Sequence, residues 1–552
     1  MKTILIGINA KYIHTNLALR YLYTYTNNSF DVEFVEFTIK NEIDYIITQI
    51  LSFKPDLIGF SCYIWNIEII SAIITQLKTK TKAKILLGGP EVYDVKHWFN
   101  DLPVDFIITG EGEYPFKQLL YALLENKSLN NIPQLHFCDN NKVHTNENTY
   151  FIDLNTLPSP YRLEVDLPEL KHRIQYIESS RGCPYHCSYC LASLEKNVRY
   201  FANIKSEISY LMKNGGKIFK FLDRTFNLRK DFALDMFTFI IDNHLPGCVF
   251  QFEITGDILH RDIIEYLNSN APQNLFRFEI GIQSTNITTN IAVDRIQDNQ
   301  KLFDNIKLIQ DGGVIDLHLD LIAGLPYEDL SSFEKTFNDV ISLRPKELQL
   351  GFLKLLKGTK LRNDASLYGY KFNATAPYEI IENDFLTKAD LDDIKTVEQV
   401  LEKYYNSMFM PVTINKILDN ITSPFSFFLD FGKYYQANFS WYNYNLDDLF
   451  TRLFNYLKVI KHPSLDDYLF IMKYDYLNHF KIKPKIWWQR PIKQKRSEMI
   501  NYIFSHNLSS YSLEDLYRYS LIEKYNNSYL IAIYKGNNTE IKIITINQKK
   551  FN

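Results

Sequence analysis

Twice along this chain, short apolar segments alternate with longer amphipathic ones, and that pattern limits the fold more than any other feature of the sequence. Residues 3–8, 32–37, 57–62, 84–87 and 105–109 are short and apolar, and each is followed by a helical stretch such as residues 67–77. Buried strands separated by helices predict a parallel sheet covered on both faces. After a polar stretch with Pro133, Pro158, Pro160 and Pro168 the pattern resumes, with strands expected at 175–178, 218–222, 249–254, 276–280, 317–322 and 348–353. Six such units in succession predict a parallel barrel, complete or partial. Beyond about residue 365 the alternation stops. Residues 388–405 and 446–460 have helical apolar spacing, and 529–534 and 540–546 flank a hairpin turn at 535–538.

With 552 residues the chain is too long for one core, and roughly three or four domains are expected. The boundaries read from the pattern are a five-stranded flavodoxin-like (Rossmann-type) sheet at 1–130, a linker at 131–171, a barrel at 172–365 and a mainly α-helical C-terminal region at 366–552. Acidic and basic residues nearly cancel, with a formal charge of -3, so neither a nucleic-acid partner nor a polyacidic substrate is expected. No apolar run reaches the about eighteen residues of a membrane span. The apolar start at 4–8 is too short for a signal peptide and reads as a buried strand, so a cytoplasmic location is expected.

Three of the six cysteines fall within Ser180-Arg181-Gly182-Cys183-Pro184-Tyr185-His186-Cys187-Ser188-Tyr189-Cys190. Thiolates are the usual ligands of iron–sulfur clusters. Three of them on one loop leave one iron of a cubane open to another ligand. A zinc knuckle using His186 is the competing reading, but zinc sites favour paired C-x-x-C segments, and no second pair exists. Cys62, Cys138 and Cys248 are scattered, which does not suit a secreted disulfide framework.

The C-x3-C-x-aromatic-C spacing, its place after the first barrel strand and the Arg-Gly-Cys-Pro lead-in closely resemble the radical S-adenosylmethionine (SAM) superfamily. The resemblance implies a [4Fe-4S] cluster on Cys183, Cys187 and Cys190, with Tyr189 near the adenine of SAM. Four later segments occur in the order the superfamily requires. Asp223 lies in Phe221-Leu222-Asp223-Arg224-Thr225-Phe226, which resembles an F-x-D-x-x-F sequence near the methionyl group. Glu279, Gln283 and Ser284 end the fourth strand, where the family places polar residues near the ribose. Asp320-Leu321-Ile322-Ala323-Gly324-Leu325-Pro326 resembles a D-x-I-x-G-x-P segment under the adenine, which implicates Ile322 and Gly324. Gly358-Thr359 resembles the turn after the sixth strand.

Superfamily members with this layout carry a cobalamin (B12)-binding domain ahead of the barrel. The resemblance extends to Gly88-Gly89-Pro90-Glu91 and Gly110-Glu111-Gly112-Glu113, and implies cobalamin contacts from Ser61, Tyr63, Trp65, Gly88, Gly89, Gly110 and Glu111. Glycines at strand ends let backbone N–H groups approach a nucleotide tail, and they also make tight turns. No D-x-H-x-x-G motif supplies a histidine to cobalt in the first domain, and Asp316-Leu317-His318 has Leu321 where the glycine would stand. What the resemblance implies is an anaerobic enzyme that generates a 5′-deoxyadenosyl radical, with cobalamin-dependent C-methylation or related C–H functionalisation as the outcome. Its electron donor would be a flavodoxin or ferredoxin. Two other readings are a methylthiotransferase-like RNA modifier and a non-catalytic cobalamin or iron–sulfur sensor. The first needs three further cysteines in the N-terminal domain, where only Cys62 stands. The complete series of adenosine-site motifs argues against the second. The C-terminal region resembles an uncharacterised extension and is read as a substrate-specific cap. Its basic stretch at 481–496 is read as a linker whose Trp487 and Trp488 dock on a neighbour.

Overall fold

The computed structural model describes residues 1–139, 142–481, 487–488, 496–536 and 538–545. The chain forms two compact units, Met1–Leu391 and Asp392–Asn552.

The first sheet takes its position from β1 (Thr3–Asn9), whose seven residues are all buried. A strand apolar on both faces must lie inside a sheet covered on both sides. It pairs in parallel with β2 (Val32–Thr38) and β3 (Leu57–Ser61), and β4 (Lys84–Gly88) and β5 (Phe106–Ile108) continue the sheet in the order 2-1-3-4-5. This is the flavodoxin-like order expected. An antiparallel hairpin, β6 (Leu135–Asp139) and β7 (Lys142–Thr145), extends the sheet beyond β5. The expected linker at 131–171 therefore opens with two strands. Leu135 and Phe137 bury against the same core as Phe106 and Ile108, which explains why a polar-looking stretch joins the sheet.

The second sheet is the expected partial barrel of six parallel strands. Its members are β8 (Ile174–Ile177), β11 (Ile218–Phe221), β12 (Val249–Glu253), β13 (Phe276–Gln283), β14 (Ile315–Ala323) and β15 (Glu347–Phe352). Between β8 and β11 the short β9 (Ser180–Arg181) pairs antiparallel with β10 (Arg199–Tyr200). Strand alternation separates two chemistries. Phe219, Phe221, Phe250, Phe252, Phe276 and Phe278 point outward and stack with one another and with Phe237 of the helix Lys230–Asn243. The intervening residues, Tyr176, Lys220, Gln251, Glu279, His318 and Glu347, face inward and neighbour one another across the strands. Barrel interiors are ordinarily filled by branched apolar side chains. This one is lined by charge.

The first unit runs past the expected boundary at 365. Residues 366–391 pack on the barrel rim, where Tyr370 and Asn383 donate to the Gly324 carbonyl at 2.9 and 3.0 Å. The second unit is mainly helical, as expected. Its helices include Pro411–Leu418, Pro424–Asn438, Leu446–Val459 and Leu465–His479. The hairpin strands Ser528–Lys535 and Asn538–Thr545 form, and Ser520–Tyr525 adds a third strand that the sequence pattern did not reveal. The hairpin residues Asn537 and Ile546 lie outside the described residues, as does most of the basic stretch at 481–496. Trp487 and Trp488 are buried, and Lys473 lies 5.0 Å over the Trp488 ring. Among the described residues, no helix is long and apolar enough to cross a membrane.

Candidate functional site

The three clustered cysteines sit in the loop between β9 and β10, at the carboxyl end of the first barrel strand. The loop is fastened at both ends. Before it, the Asp223 carboxylate accepts from the Ser179 backbone N–H at 3.1 Å, the Ser179 hydroxyl at 2.7 Å and the Ser180 hydroxyl. After it, the Glu195 carbonyl accepts from the Cys183 N–H at 2.8 Å. Gly182 between them has φ +96°, and a Cβ there would strike the Asn197 carbonyl, so only glycine passes this crossing. Ser188 donates its N–H to the Val293 carbonyl at 2.9 Å, and the Cys190 N–H closes a turn on the Cys187 carbonyl at 3.0 Å.

Cys183 and Cys187 are buried and Cys190 is half-buried. Burial pushes the Cys190 thiol up, and its two neighbouring thiols add to the shift while Arg224 opposes it. The sequence reading missed Arg295, just beyond the short helix Ile287–Ala292. Its guanidinium lies 3.9 Å from the Cys187 sulfur and 3.3 Å from the Tyr189 hydroxyl, and donates to the Gly281 carbonyl. Three thiols on one pinned loop, one of them against a guanidinium, form a donor set that fits an iron–sulfur cluster. His186, the fourth ligand of the zinc alternative, is exposed. Among the described residues, no group of three or more His, Cys, Asp or Glu side chains is gathered as a single-ion site.

The remaining candidates divide between the lumen and the packing around it. Glu279 faces the lumen, paired with Lys220 at 2.8 Å and accepting from Gln251. Gln283 ends β13 in a left-handed conformation, φ +66°, with its side-chain oxygen buried and without a hydrogen-bond partner among the described residues. Ile322 lies on the lumen face. Gly324 has φ +99° and would bring a Cβ to 2.8 Å from Ile380, so its backbone is held close to the rim. Ser284 is fully buried and donates to Glu328, so it faces the packing side. Asp223 is buried too, with its oxygens taken up by the loop's own donors.

In the first sheet, the loop after β3 carries an aromatic pair, Tyr63 half-buried and Trp65 exposed. The Tyr63 and Trp65 rings stack at 4.4 Å, and the Trp65 N–H anchors the pair on the Ile8 carbonyl at 3.1 Å. Ser61 is buried and accepts from the Asn16 amide at 2.6 Å. Gly89 (φ +114°) would bring a Cβ to 2.5 Å from the Cys62 carbonyl, and Gly110 (φ +69°) to 2.5 Å from the Gln134 amide, so both are demanded by the fold. Gly88 is different: a Cβ there meets only the Ile108 carbonyl at 3.8 Å, which leaves the strand end open. Such a cradle fits the approach of a nucleotide tail. Glu111 is occupied elsewhere. It accepts from Arg181 at 3.2 Å, from Arg199, and from the Ile152 N–H at 3.2 Å.

Those ion pairs show how the two sheets meet. Arg181, two residues before Cys183, also binds Glu113 at 2.7 Å and Glu178 at 3.0 Å. Glu91 of the loop after β4 accepts from Tyr378 and lies 3.9 Å from Lys357 at the barrel rim, and His14 meets Tyr176 at 2.7 Å. Tyr63 is pushed up to about 12, mainly by burial, with Cys62 and Glu178 adding to the shift and Arg224 opposing it. The carboxyl ends of the open sheet and of the barrel therefore face each other.

Fold and site together define a protein with an open α/β sheet presented to a three-cysteine barrel. Comparison with known proteins names that class: residues 3–120 match the B12 binding domain and residues 177–340 the Radical SAM superfamily, so the chain carries a radical SAM domain with a B12-binding domain ahead of it. Residues 366–549 match a protein of unknown function (DUF4080). Among curated relatives, the uncharacterized methyltransferase PH0819 of Pyrococcus horikoshii is 28% identical over 40% of this chain and 51% of its own length. The cobalamin-dependent radical SAM methyltransferase TokK of Streptomyces tokunonensis is 24% identical over 63% and 54%. The chain thus spans about half the length of these relatives. Among solved structures, the cobalamin-dependent SAM radical enzyme OxsB with aqua-cobalamin and SAM bound superposes with a TM-score of 0.59 at 16% identity, over 93% of this chain and 82% of that one. TsrM from Kitasatospora setae, a radical SAM methyltransferase with cobalamin and a [4Fe-4S] cluster bound, gives 0.56 at 15%, over 68% and 78%. These likenesses establish the shared fold.

Proposed function

We propose that the protein is a cobalamin-dependent radical SAM enzyme that methylates, or otherwise functionalises, an unactivated carbon of its substrate. The observation that carries this reading is the opposition of the Cys183–Cys190 loop to the strand-end loops of the B12-binding domain, joined by the ion pairs of Arg181 with Glu111 and Glu113. When bound, a [4Fe-4S] cluster with SAM supplies a 5′-deoxyadenosyl radical, and cobalamin supplies a methyl carrier. The chain's own residues hold and orient. Cys183, Cys187 and Cys190 are the thiolate donors. Arg295 positions the loop, its guanidinium engaged with Cys187, Tyr189, Gly281 and Gln297. Tyr189 and the backbone at Gly324 take the adenine side, and Glu279 and Gln283 the ribose side. Asp223 and Ser284 serve by position, since their oxygens are committed to Ser179, Ser180 and Glu328. Gly88 would leave room for the nucleotide tail of a bound cobalamin, and Tyr63 and Trp65 would line its corrin side. The electron donor is a flavodoxin or ferredoxin, and the setting is an anaerobic cytoplasm.

Anaerobic reconstitution with iron, sulfide and cobalamin tests the reading. The expected product is one oxygen-sensitive [4Fe-4S] centre that cleaves SAM under strong reductant. Cys183→Ala, Cys187→Ala or Cys190→Ala is each expected to abolish 5′-deoxyadenosine formation. Undiminished formation by any of the three would remove the assignment.

A further inference from the structure

Beside the cluster loop the chain turns apolar side chains out to solvent. The short helix Ile287–Ala292 is amphipathic in the reverse sense: it buries Thr289 and Asn290 and exposes Ile287 and Ile291, four residues apart on one face. Ile287 is 69% exposed, Ile291 72% and Ile296, shortly after the helix, 78%. Tyr327, also exposed, borders the helix, its carbonyl accepting from the side-chain amide of Asn286 at 3.0 Å. A single exposed isoleucine needs no explanation, but three within ten residues mark an interaction surface.

Short links join this surface to the cysteine loop. The Ser188 N–H donates to the Val293 carbonyl at 2.9 Å, and the Ser188 carbonyl accepts from the Leu361 N–H at 2.8 Å, so the residue next to Cys187 is held from both sides. Lys360 closes the arrangement on Asp294 at 2.7 Å. Arg295, whose guanidinium lies 3.9 Å from the Cys187 sulfur, is the chain neighbour of Ile296. The most exposed isoleucine is thus one residue removed from a side chain in contact with a cluster thiol. What the site needs and what the patch offers agree on the occupant. A cluster that cleaves SAM takes up one electron from outside the chain for each cleavage, and electron transfer slows steeply with distance, so the donor must dock beside the cysteine loop. Weak redox encounters bury less than about 1,200 Å², and a compact patch is enough for one. The Lys360–Asp294 pair is satisfied within the patch, which leaves apolar contact rather than charge to hold the partner.

We propose that Ile287, Ile291 and Ile296 form the docking surface for the electron donor, a small flavoprotein that presents the apolar, methyl-bearing edge of its reduced flavin. The flavin is oxidised by one electron as the cluster is reduced by one, and no atom passes between the two proteins. This rests on the reading of the barrel as a radical SAM site and names the surface at which that site is supplied.

The test uses the full chain, reconstituted anaerobically with its cluster, and an FMN-containing flavodoxin as the probe. Binding is read by titration calorimetry with both proteins oxidised, and electron transfer by the bleaching of cluster absorbance on mixing with reduced flavodoxin. Saturable binding is expected. Ile287→Asp and Ile291→Asp should each weaken it about tenfold or more, because a carboxylate without a partner is then carried into an apolar contact, and transfer should slow in parallel. Val165→Asp, at a site outside the patch that is 67% exposed, should change neither. With dithionite, a small reductant that needs no docking surface, both isoleucine variants should form 5′-deoxyadenosine as the unaltered protein does. Failure of flavodoxin to bind the unaltered protein, or undiminished binding and transfer in both variants, would overturn the proposal. So would a loss of dithionite-driven cleavage, which would assign the isoleucines to support of the cysteine loop. A dimer of the unaltered protein that the variants turn into monomer would overturn it too, by seating a second copy on the patch. If flavodoxin docks and reduces the cluster as expected while no reductant yields 5′-deoxyadenosine, the docking surface stands and the SAM reading falls.

Discussion

At the scale of single residues, the site is made by groups whose chemistry depends on what buries them. Glu328 is fully buried next to the ribose-side strand end, accepting from Ser284 at 2.5 Å and Thr336 at 2.8 Å. Burial outweighs those donors and pushes it up from 4.5 to about 7. An acid whose folded value is raised binds its proton more tightly in the native state. Its contribution to stability is therefore complete below about pH 4.5 and is lost as the pH rises through about 7. The loss is at most roughly 3 kcal/mol. Glu328→Gln is expected to remove this part of the pH dependence and to leave the variant relatively more stable above pH 7. Urea titrations across that range check it, and an unchanged slope would show that Glu328 is already ionised in the fold. Asp223 is also pushed up by burial, with Ser180 and Ser179 opposing, and its neighbours were chosen by tertiary structure. The sequence placed it at a strand end facing a cofactor, yet Ser179 and Ser180, more than forty residues earlier, claim its oxygens. Nothing local to Asp223 announces that, because a strand-end aspartate looks the same whichever neighbouring strand it faces.

At the scale of elements, the glycines at the strand ends of the first sheet separate into two kinds. Gly89 and Gly110 have positive φ and close neighbours, so Gly89→Ala or Gly110→Ala is expected to destabilise the domain by about 1–3 kcal/mol through strain. Gly88 has room for a side chain and no unusual backbone angle. Gly88→Leu is therefore expected to leave the melting temperature nearly unchanged while blocking retention of cobalamin through desalting, read from the corrinoid absorbance. Full retention by this variant would show that the nucleotide tail does not pass the β4 end. Strand–helix alternation made both parallel sheets legible, and in the barrel the inward and outward residues also differ in character at every second position. The β6–β7 hairpin and the strand Ser520–Tyr525 escaped, because each is short and partly polar and is stabilised by the neighbour it pairs with.

At the scale of the whole first unit, a buried ion network fastens the B12-binding domain to the cysteine loop. Arg181 holds Glu111, Glu113 and Glu178, and Arg199 holds Glu111 and, at 2.6 Å, Glu195, whose carbonyl in turn holds the Cys183 N–H. Removing the cation from such a set leaves buried carboxylates unpaired, at a cost of about 3–5 kcal/mol. Arg181→Met is expected to lower the melting temperature and to speed hydrogen exchange in two places at once, the Cys183 amide and the loop at 110–113. Arg181→Lys should restore protection only in part, because one ammonium cannot reproduce the planar fork. Faster exchange confined to one loop would show that the network does not couple them. The spacing of Cys183, Cys187 and Cys190, the strand–helix alternation and the turn-forming glycines are local properties, written within a few residues of one another, and the sequence by itself determined them. Which charges meet was decided only by the tertiary structure: Arg181 and Glu111 are 70 residues apart, and Arg295 and Cys187 are 108. Their partnership depends on strand order, on register and on the facing of two sheets, and side-chain periodicity carries no record of any of the three.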